Sequence, residues 1–239
     1  MRYRFHKLIW AALFASMLAM LAAPVATPGF ENEQLHYNIN WPSGLSLGEA
    51  QLVASASKPE PDSPGRLHLE FKVDAGIPGF AVSDQYRSEA SSDFCSGDFQ
   101  RTAQHGSKKT DEKTTFDQKS GTANRQTTGG GKTEMKTSTC GKDALTFLYY
   151  VRHELSQGRI PPRQTVFFGA PYDIAIEFMG TQNIPLGETQ VEADRVTASV
   201  KGPTTEISFE VFFLKDRTRT PALVRVPLSL GMFSMELVR

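Results

Sequence analysis

The stretch EQLHYNINW, Glu33–Trp41, alternates apolar and polar side chains with period two. Leu35, Tyr37, Ile39 and Trp41 fall on one side of an extended chain, and Gln34, His36, Asn38 and Asn40 on the other. Successive side chains of a strand point to opposite faces, so the pattern predicts a half-buried strand. RLHLEFKVD at 66–74 repeats it, with Leu67, Leu69, Phe71 and Val73 set against His68, Glu70 and Lys72. YDIAIEF at 172–178 and EISFEVFF at 206–213 do the same through Tyr172, Ile174, Ile176 and Phe178 and through Ile207, Phe209, Val211 and Phe213. Turn clusters, PSG at 42–44 and KPEPDSPG at 58–65, separate such runs. The polar second faces predict an antiparallel sheet that is wet on one side.

DALTFLYYVRHELSQG, 143–158, breaks the alternation. Ala144, Phe147, Leu148, Val151 and Leu155 recur at helical spacing. Asp143 is placed to cap the N-terminus and Gly158 to end the helix, after which IPPR forbids continuation because proline lacks an N–H. The predicted architecture is therefore mainly β: one curved antiparallel sheet, half-barrel or barrel-like, with one principal helix packed on its apolar face. Phe147 and Leu148 sit at the centre of the stripe and are predicted to be core.

GGGKT at 129–133 resembles the end of a phosphate-binding loop. That loop needs a first glycine five positions before the Gly-Lys pair, a buried strand ahead and a helix behind. Gln126 occupies the glycine position and both flanks are polar. The stretch predicts a turn, and no nucleotide or other cofactor is expected.

The N-terminus is basic at Arg2, Arg4 and Lys7 and then apolar from Leu8 to Ala23, interrupted only by Ser16. This is a signal-peptide pattern, shorter than the run of about 20 residues that comfortably spans a bilayer. Residues 1–26 are read as a signal peptide and 27–239 as a single β-rich exported domain. No strict Ala-x-Ala site is present, so cleavage and retention as an anchor both stay open; membrane contact is expected only in the second case. Without that segment the chain holds 23 basic and 26 acidic side chains. No basic excess is left to suggest nucleic acid as a partner.

In an exported chain the two cysteines, Cys95 and Cys140, read first as a disulfide, with two free thiols or a metal site as the alternatives. Only His105 lies between them, a poor start for a metal site. The enclosed segment has few large apolar residues and needs a cross-link more than any other part of the chain.

No catalytic or metal-binding residues are assigned. The five histidines form no HExxH, no G-x-S-x-G elbow is present, and the carboxylates are scattered. Tyr149 and Arg152, i,i+3 on the helix beside the apolar stripe, are the candidate ligand-binding polar groups, together with Phe147. They would hold an anionic head group at a groove mouth. The competing reading pairs Arg152 with a carboxylate of a neighbouring strand and packs Tyr149 by its ring. KDRTRTP at 215–221 reads as a hairpin turn, with a charged recognition loop as the alternative.

The order of these segments resembles the bacterial exported family known as domain of unknown function 3108. The resemblance rests on Tyr37, Trp41, Gly48 and Glu49 in the opening hairpin, Asp143, Tyr149 and Arg152 on the helix, Gly187 before a strand, and Asp216, Arg219 and Pro221 in the last hairpin. It covers nearly all of the mature chain. The long Thr- and Lys-rich middle and the cysteine pair depart from it. The resemblance implies export, to the periplasm or beyond, and a β-rich fold, and it implies no reaction. The outline is similar to half-barrels that carry lipids and lipoproteins in the envelope, an analogy of fold alone.

Two expectations follow for function: a periplasmic binding module for a lipid-like apolar ligand, or a structural or assembly protein that binds an envelope protein and no ligand. A hydrolase is the weakest reading. Several strands present apolar faces wider than one helix of about 10–12 Å can cover. The remainder must close on itself, be capped by a loop, or stay open as a groove; GIPGFAV at 76–82 is the candidate plug.

Overall fold

The computed structural model of the chain describes residues 29–57, 65–77, 79–229 and 231–239. Residues 1–26, read as a signal peptide, and most of KPEPDSPG lie outside them. The described strands are β1 (Glu33–Asn40), β2 (Ser46–Ala56), β3 (Arg66–Ile77), β4 (Phe80–Ser91), β5 (Ser96–His105), β6 (Lys108–Asp117), β7 (Thr122–Thr127) and β8 (Lys132–Lys136). After β9 (Lys142–Asp143) and the helix α1 (Ala144–Ser156) come β10 (Gln164–Phe167), β11 (Pro171–Leu186), β12 (Thr189–Lys201), β13 (Glu206–Leu214), β14 (Pro221–Leu228) and β15 (Gly231–Leu237).

All fifteen strands belong to one sheet in the order β8-β7-β6-β5-β4-β3-β2-β1-β15-β14-β13-β12-β11-β10-β9. The chain's last strand pairs with its first, Tyr37 opposite Leu237, and this joins the two meanders. Every pairing is antiparallel except β9 with β10. The sheet curls without closing. Where β5 approaches β9, Ser96 N donates to Gly141 O at 3.0 Å, and the Cys95–Cys140 disulfide ties the β4–β5 turn to the segment before β9. Away from the seam, Gly48 in β2 allows a close approach to β3: at φ +153°, an added Cβ would stand 2.1 Å from the carbonyl oxygen of Asp74.

The alternation read in β1 and β3 holds: Tyr37, Leu67 and Leu69 are buried while His36 and His68 are exposed. GGGKT is the β7–β8 turn, where Thr127 N donates to Gly131 O, and a strand rather than a helix follows.

The expectation of one wet face needs correction in β11–β14. Ile184, Leu186, Ala193, Phe212 and Leu223 form a separate buried cluster, and Phe212 and Leu223 alternate with the inward-facing Val211 and Val224. A register shift between Phe178 and Gly180 swaps the faces of β11, so its far half packs on the outer side of the sheet. Phe178, predicted to be inward, is half exposed at this bulge.

Helix α1 begins and ends at the predicted residues. The Asp143 Oδ1 accepts from Leu145 N and Thr146 N at 2.9 and 3.1 Å, and Gly158 (φ +70°) leaves the helix with its N–H on Leu155 O. Beyond the predicted stripe, a second row is buried: Leu145, Tyr149 and Arg152. The helix therefore touches both halves of the sheet, with Leu145 and Tyr149 in one core cluster and Phe147, Val151 and Leu155 in another. It lies within the curl rather than on one wall. Phe147 is 5 % exposed. Phe147→Ala is expected to lower stability by about 3 kcal/mol, toward the low end for a buried Phe because the ring already borders a cavity. Urea unfolding followed by circular dichroism measures this.

Candidate functional site

The residues that hold α1 all lie at one end of the curled sheet. At the helix N-terminus Asp143 is fully buried, and its Oδ2 accepts from Ser88 of β4 at 2.6 Å, Ser96 of β5 at 2.5 Å and Thr146 at 2.8 Å. Burial pushes this carboxyl above its usual range, and the hydroxyl and amide donors pull it back down. Asp143 is thus the joint between helix, β4 and β5 at the unclosed seam.

Near the helix C-terminus, Arg152 is completely buried. Its guanidinium donates to both carboxylate oxygens of Glu33 in β1, at 2.7 and 2.5 Å, and its Nε to the carbonyls of Thr218 and Arg219 in the β13–β14 turn. The rings of Phe30 and Tyr149 lie 4.6 and 4.7 Å from it. Tyr149 also donates to Glu33, at 2.9 Å, and burial raises its hydroxyl pKa well above normal. Of the two readings offered for Tyr149 and Arg152, pairing with a strand carboxylate describes this geometry. Neither group is on the surface to meet a head group.

KDRTRTP is a turn, clamped rather than free: Arg219 donates to Asp194 at 2.7 Å and Asp216 accepts from Thr220 N. Tyr37 donates to Pro221 O at 2.9 Å, and Trp41 stacks edge-on to Phe233 at 4.8 Å. The motif residues of the sequence are, for the most part, joints between elements.

Phe147 is the candidate that reaches an open space. Between α1 and the sheet lies a cavity of about 380 Å³. One wall is Tyr37, Leu52, Phe71 and Tyr86 from β1–β4; the opposite wall is built from β11–β15, including Ile176, Ala198, Phe209, Val211 and Met235. Helix residues Leu145, Phe147, Leu148 and Val151 form the floor. No charged side chain lines it, and its two tyrosine hydroxyls already donate elsewhere, Tyr37 to Pro221 and Tyr86 to Asp84 at 2.8 Å. Burial raises the pKa of both.

The candidate plug does not line this space. GIPGFAV is the β3–β4 hairpin tip, and Ile77 and Phe80 stand about half exposed at its end. A hairpin of two twelve-residue strands carries its tip past the cavity instead of folding into it.

Sequence reasoning overlooked Arg101 of β5. Its guanidinium lies 5.2 Å from the ring centroid of Phe168 and 6.0 Å from that of Tyr86, both on the cavity wall. No carboxylate among the described residues is within ion-pair distance of it. The only signal would have been a lone Arg on the inward row of a polar strand. A smaller hollow on the outer face, about 200 Å³, is lined by His68, Glu70, Arg87 and Glu89, with Arg87 on Glu70 at 3.4 Å and the His68 ring 3.7 Å from Glu89. Among the described residues no group of three His, Cys, Asp or Glu side chains could hold a metal.

These features define a barrel-like, incompletely closed β-protein with an internal helix over an apolar cavity. Its family is the one described as protein of unknown function DUF3108: that family's model matches residues 34–238, and the chain belongs to it. No curated protein matches the sequence. Among solved structures the chain is similar to the crystal structure of a beta-barrel-like protein of domain of unknown function DUF1849 from Brucella abortus, at 11 % identity and TM-score 0.60. The match covers 88 % of this chain and 97 % of that one, and shows the fold.

Proposed function

We propose that the exported domain binds a lipid-like ligand whose apolar chain occupies the space between α1 and the sheet. The observation that carries this reading is the cavity wall: about 380 Å³ bounded by aliphatic and aromatic side chains with no free polar donor directed into it. That volume falls within the range of small-molecule sites, and such a wall selects for hydrocarbon. An anionic end of the ligand has Arg101 beside the wall as its partner. The Cys95–Cys140 bond and the apolar N-terminal run support action outside the cytoplasm.

The alternative, an assembly protein that adds a strand from a partner to its sheet edge, finds less support. The exposed edge β8 carries Lys132, Glu134 and Lys136, the charged pattern that blunts an edge against pairing.

Mass spectrometry of organic extracts from natively purified protein identifies any resident lipid. Titration of delipidated protein with a fluorescent fatty acid is expected to saturate. Ala198→Phe, which fills the cavity, should weaken binding at least tenfold, and Arg101→Met should weaken the acid probe more than its uncharged ester. No co-purified lipid and no saturable binding would leave the assembly role as the better reading.

A further inference from the structure

The hairpin tips at the end of the sheet opposite α1 have an unusual composition. Trp41–Ser46, 76–81 and 227–232 read WPSGLS, GIPGFA and PLSLGM, with no ionisable residue in any of them. They belong to the β1–β2, β3–β4 and β14–β15 hairpins, formed by six consecutive strands of the sheet. The first and last touch: an added Cβ on Gly231 would lie 2.7 Å from Pro42, and Trp41 packs on Phe233. Leu45, Ile77, Phe80, Leu228 and Met232 are all 46–67 % exposed. They are five of the nine large apolar side chains exposed among the described residues, and all five sit on these tips.

Three of the five continue the inward rows that line the cavity. Ile77 follows Phe71, Val73 and Ala75; Phe80 precedes Val82, Asp84 and Tyr86; Leu228 follows Val224 and Val226. Along β3 and β14 the apolar rim is thus continuous with the cavity wall at the end that the helix leaves uncovered, while along β4 Asp84, held by Tyr86 and His105, interrupts it. The next tip outward, between β5 and β6, bears exposed Lys108 and Lys109, of which Lys109 also approaches Asp111 at 3.4 Å. Gly106 of that tip lies under the Phe80 ring, so the lysines flank the apolar row.

From this arrangement we propose that the rim formed by the three uncharged tips docks on a lipid bilayer, inserting Leu45, Ile77, Phe80, Leu228 and Met232 among the acyl chains while Lys108 and Lys109 meet anionic head groups. Separate convex tips, each carrying one or two apolar side chains between Gly, Pro and Ser, need no complementary shape in a lipid surface. A protein partner would have to supply a matched pocket for each. Apolar insertion with a basic flank is the signature of interfacial binding.

Trp41 makes the rim observable. The chain has two tryptophans, Trp10 and Trp41, so Trp10→Phe leaves one reporter on the rim. Protein recovered from an exporting host and mixed with phosphatidylethanolamine–phosphatidylglycerol vesicles carrying brominated chains is expected to show quenching and a blue shift of Trp41. Vesicle partitioning should fall at least tenfold in the I77D/F80D/L228D variant and should weaken when phosphatidylcholine replaces the anionic lipid. Vesicle binding without Trp41 quenching would place the contact in the N-terminal segment and overturn the proposal, as would no binding at all. A concentration-dependent dimer abolished by the same substitutions, with no vesicle binding, would seat a second copy on the rim instead. This inference does not depend on the ligand reading. An L45D/M232D variant, changed only at rim residues outside those rows, should lose vesicle partitioning and bind the fatty-acid probe normally, and a protein that docks on vesicles but binds no probe would refute only the ligand.

Discussion

Arg152→Ala is expected to destabilise the domain by about 3–5 kcal/mol, the range for removing one partner of a buried ion pair. The guanidinium is completely buried and donates to both oxygens of Glu33, whose side chain is 10 % exposed. The substitution leaves that carboxylate with only Tyr149, frees the carbonyls of Thr218 and Arg219, and empties the space between the rings of Phe30 and Tyr149. In a chain of this size the loss corresponds to about 10 °C in melting temperature. The double variant Glu33→Gln with Arg152→Met should recover much of the loss, because no unpaired charge is then buried. A double-mutant cycle by urea unfolding measures the coupling. A single-variant effect under about 1 kcal/mol would show that the site opens to water. Fatty-acid binding should survive wherever the fold does, since this cluster lies outside the cavity wall.

Replacing both cysteines with serine should cost about 4 kcal/mol, the chain-entropy value for a loop of this length. The enclosed strands β5–β8 bury few large side chains, Phe99 and Phe116 among them, and depend on tethering to the rest of the sheet. The bond sits at the unclosed seam, next to Ser96, Gly141 and the buried Asp143. Gln118 donates to the carbonyls of Ser96 and Gly141 at 2.6 and 3.0 Å and offers a second tie. Denaturant unfolding of the C95S/C140S protein against the oxidised wild type gives the number. Hydrogen exchange should rise first in β6–β8. A loss below about 1 kcal/mol would mean that the Gln118 and Asp143 hydrogen bonds hold the seam without help.

Phe147 and the residues of the family motif show how differently a position can be legible in sequence and in space. Asp143 as a cap and Gly158 as a terminator are local facts, because capping depends on neighbours two or three residues away. The role of Asp143 at the seam is not local: its other partners, Ser88 and Ser96, are 55 and 47 residues distant. The same holds for Arg152 and Glu33, 119 residues apart. A sequence shows that an Arg stands beside an apolar stripe, but it carries no signal of which of 26 acids answers it. The GIPGFAV segment was ambiguous for a related reason. Its apolar content is equally suited to filling a cavity or rimming one, and only strand length and register decide where a hairpin tip ends.

By itself, then, the sequence determined that this protein is β-rich with one amphipathic helix and that GGGKT is a turn. These follow from periodicity, capping and turn chemistry, all of which act over a few residues. Tertiary structure alone decided that the first and last strands pair, that the sheet curls around the helix without closing, and that Arg152 is consumed by Glu33 while Arg101 is left beside the cavity. It also decided that three uncharged hairpin tips meet at one rim. Each of these depends on contacts between residues far apart in the chain, whose energies come from burial and pairing in three dimensions and leave no periodic trace in one.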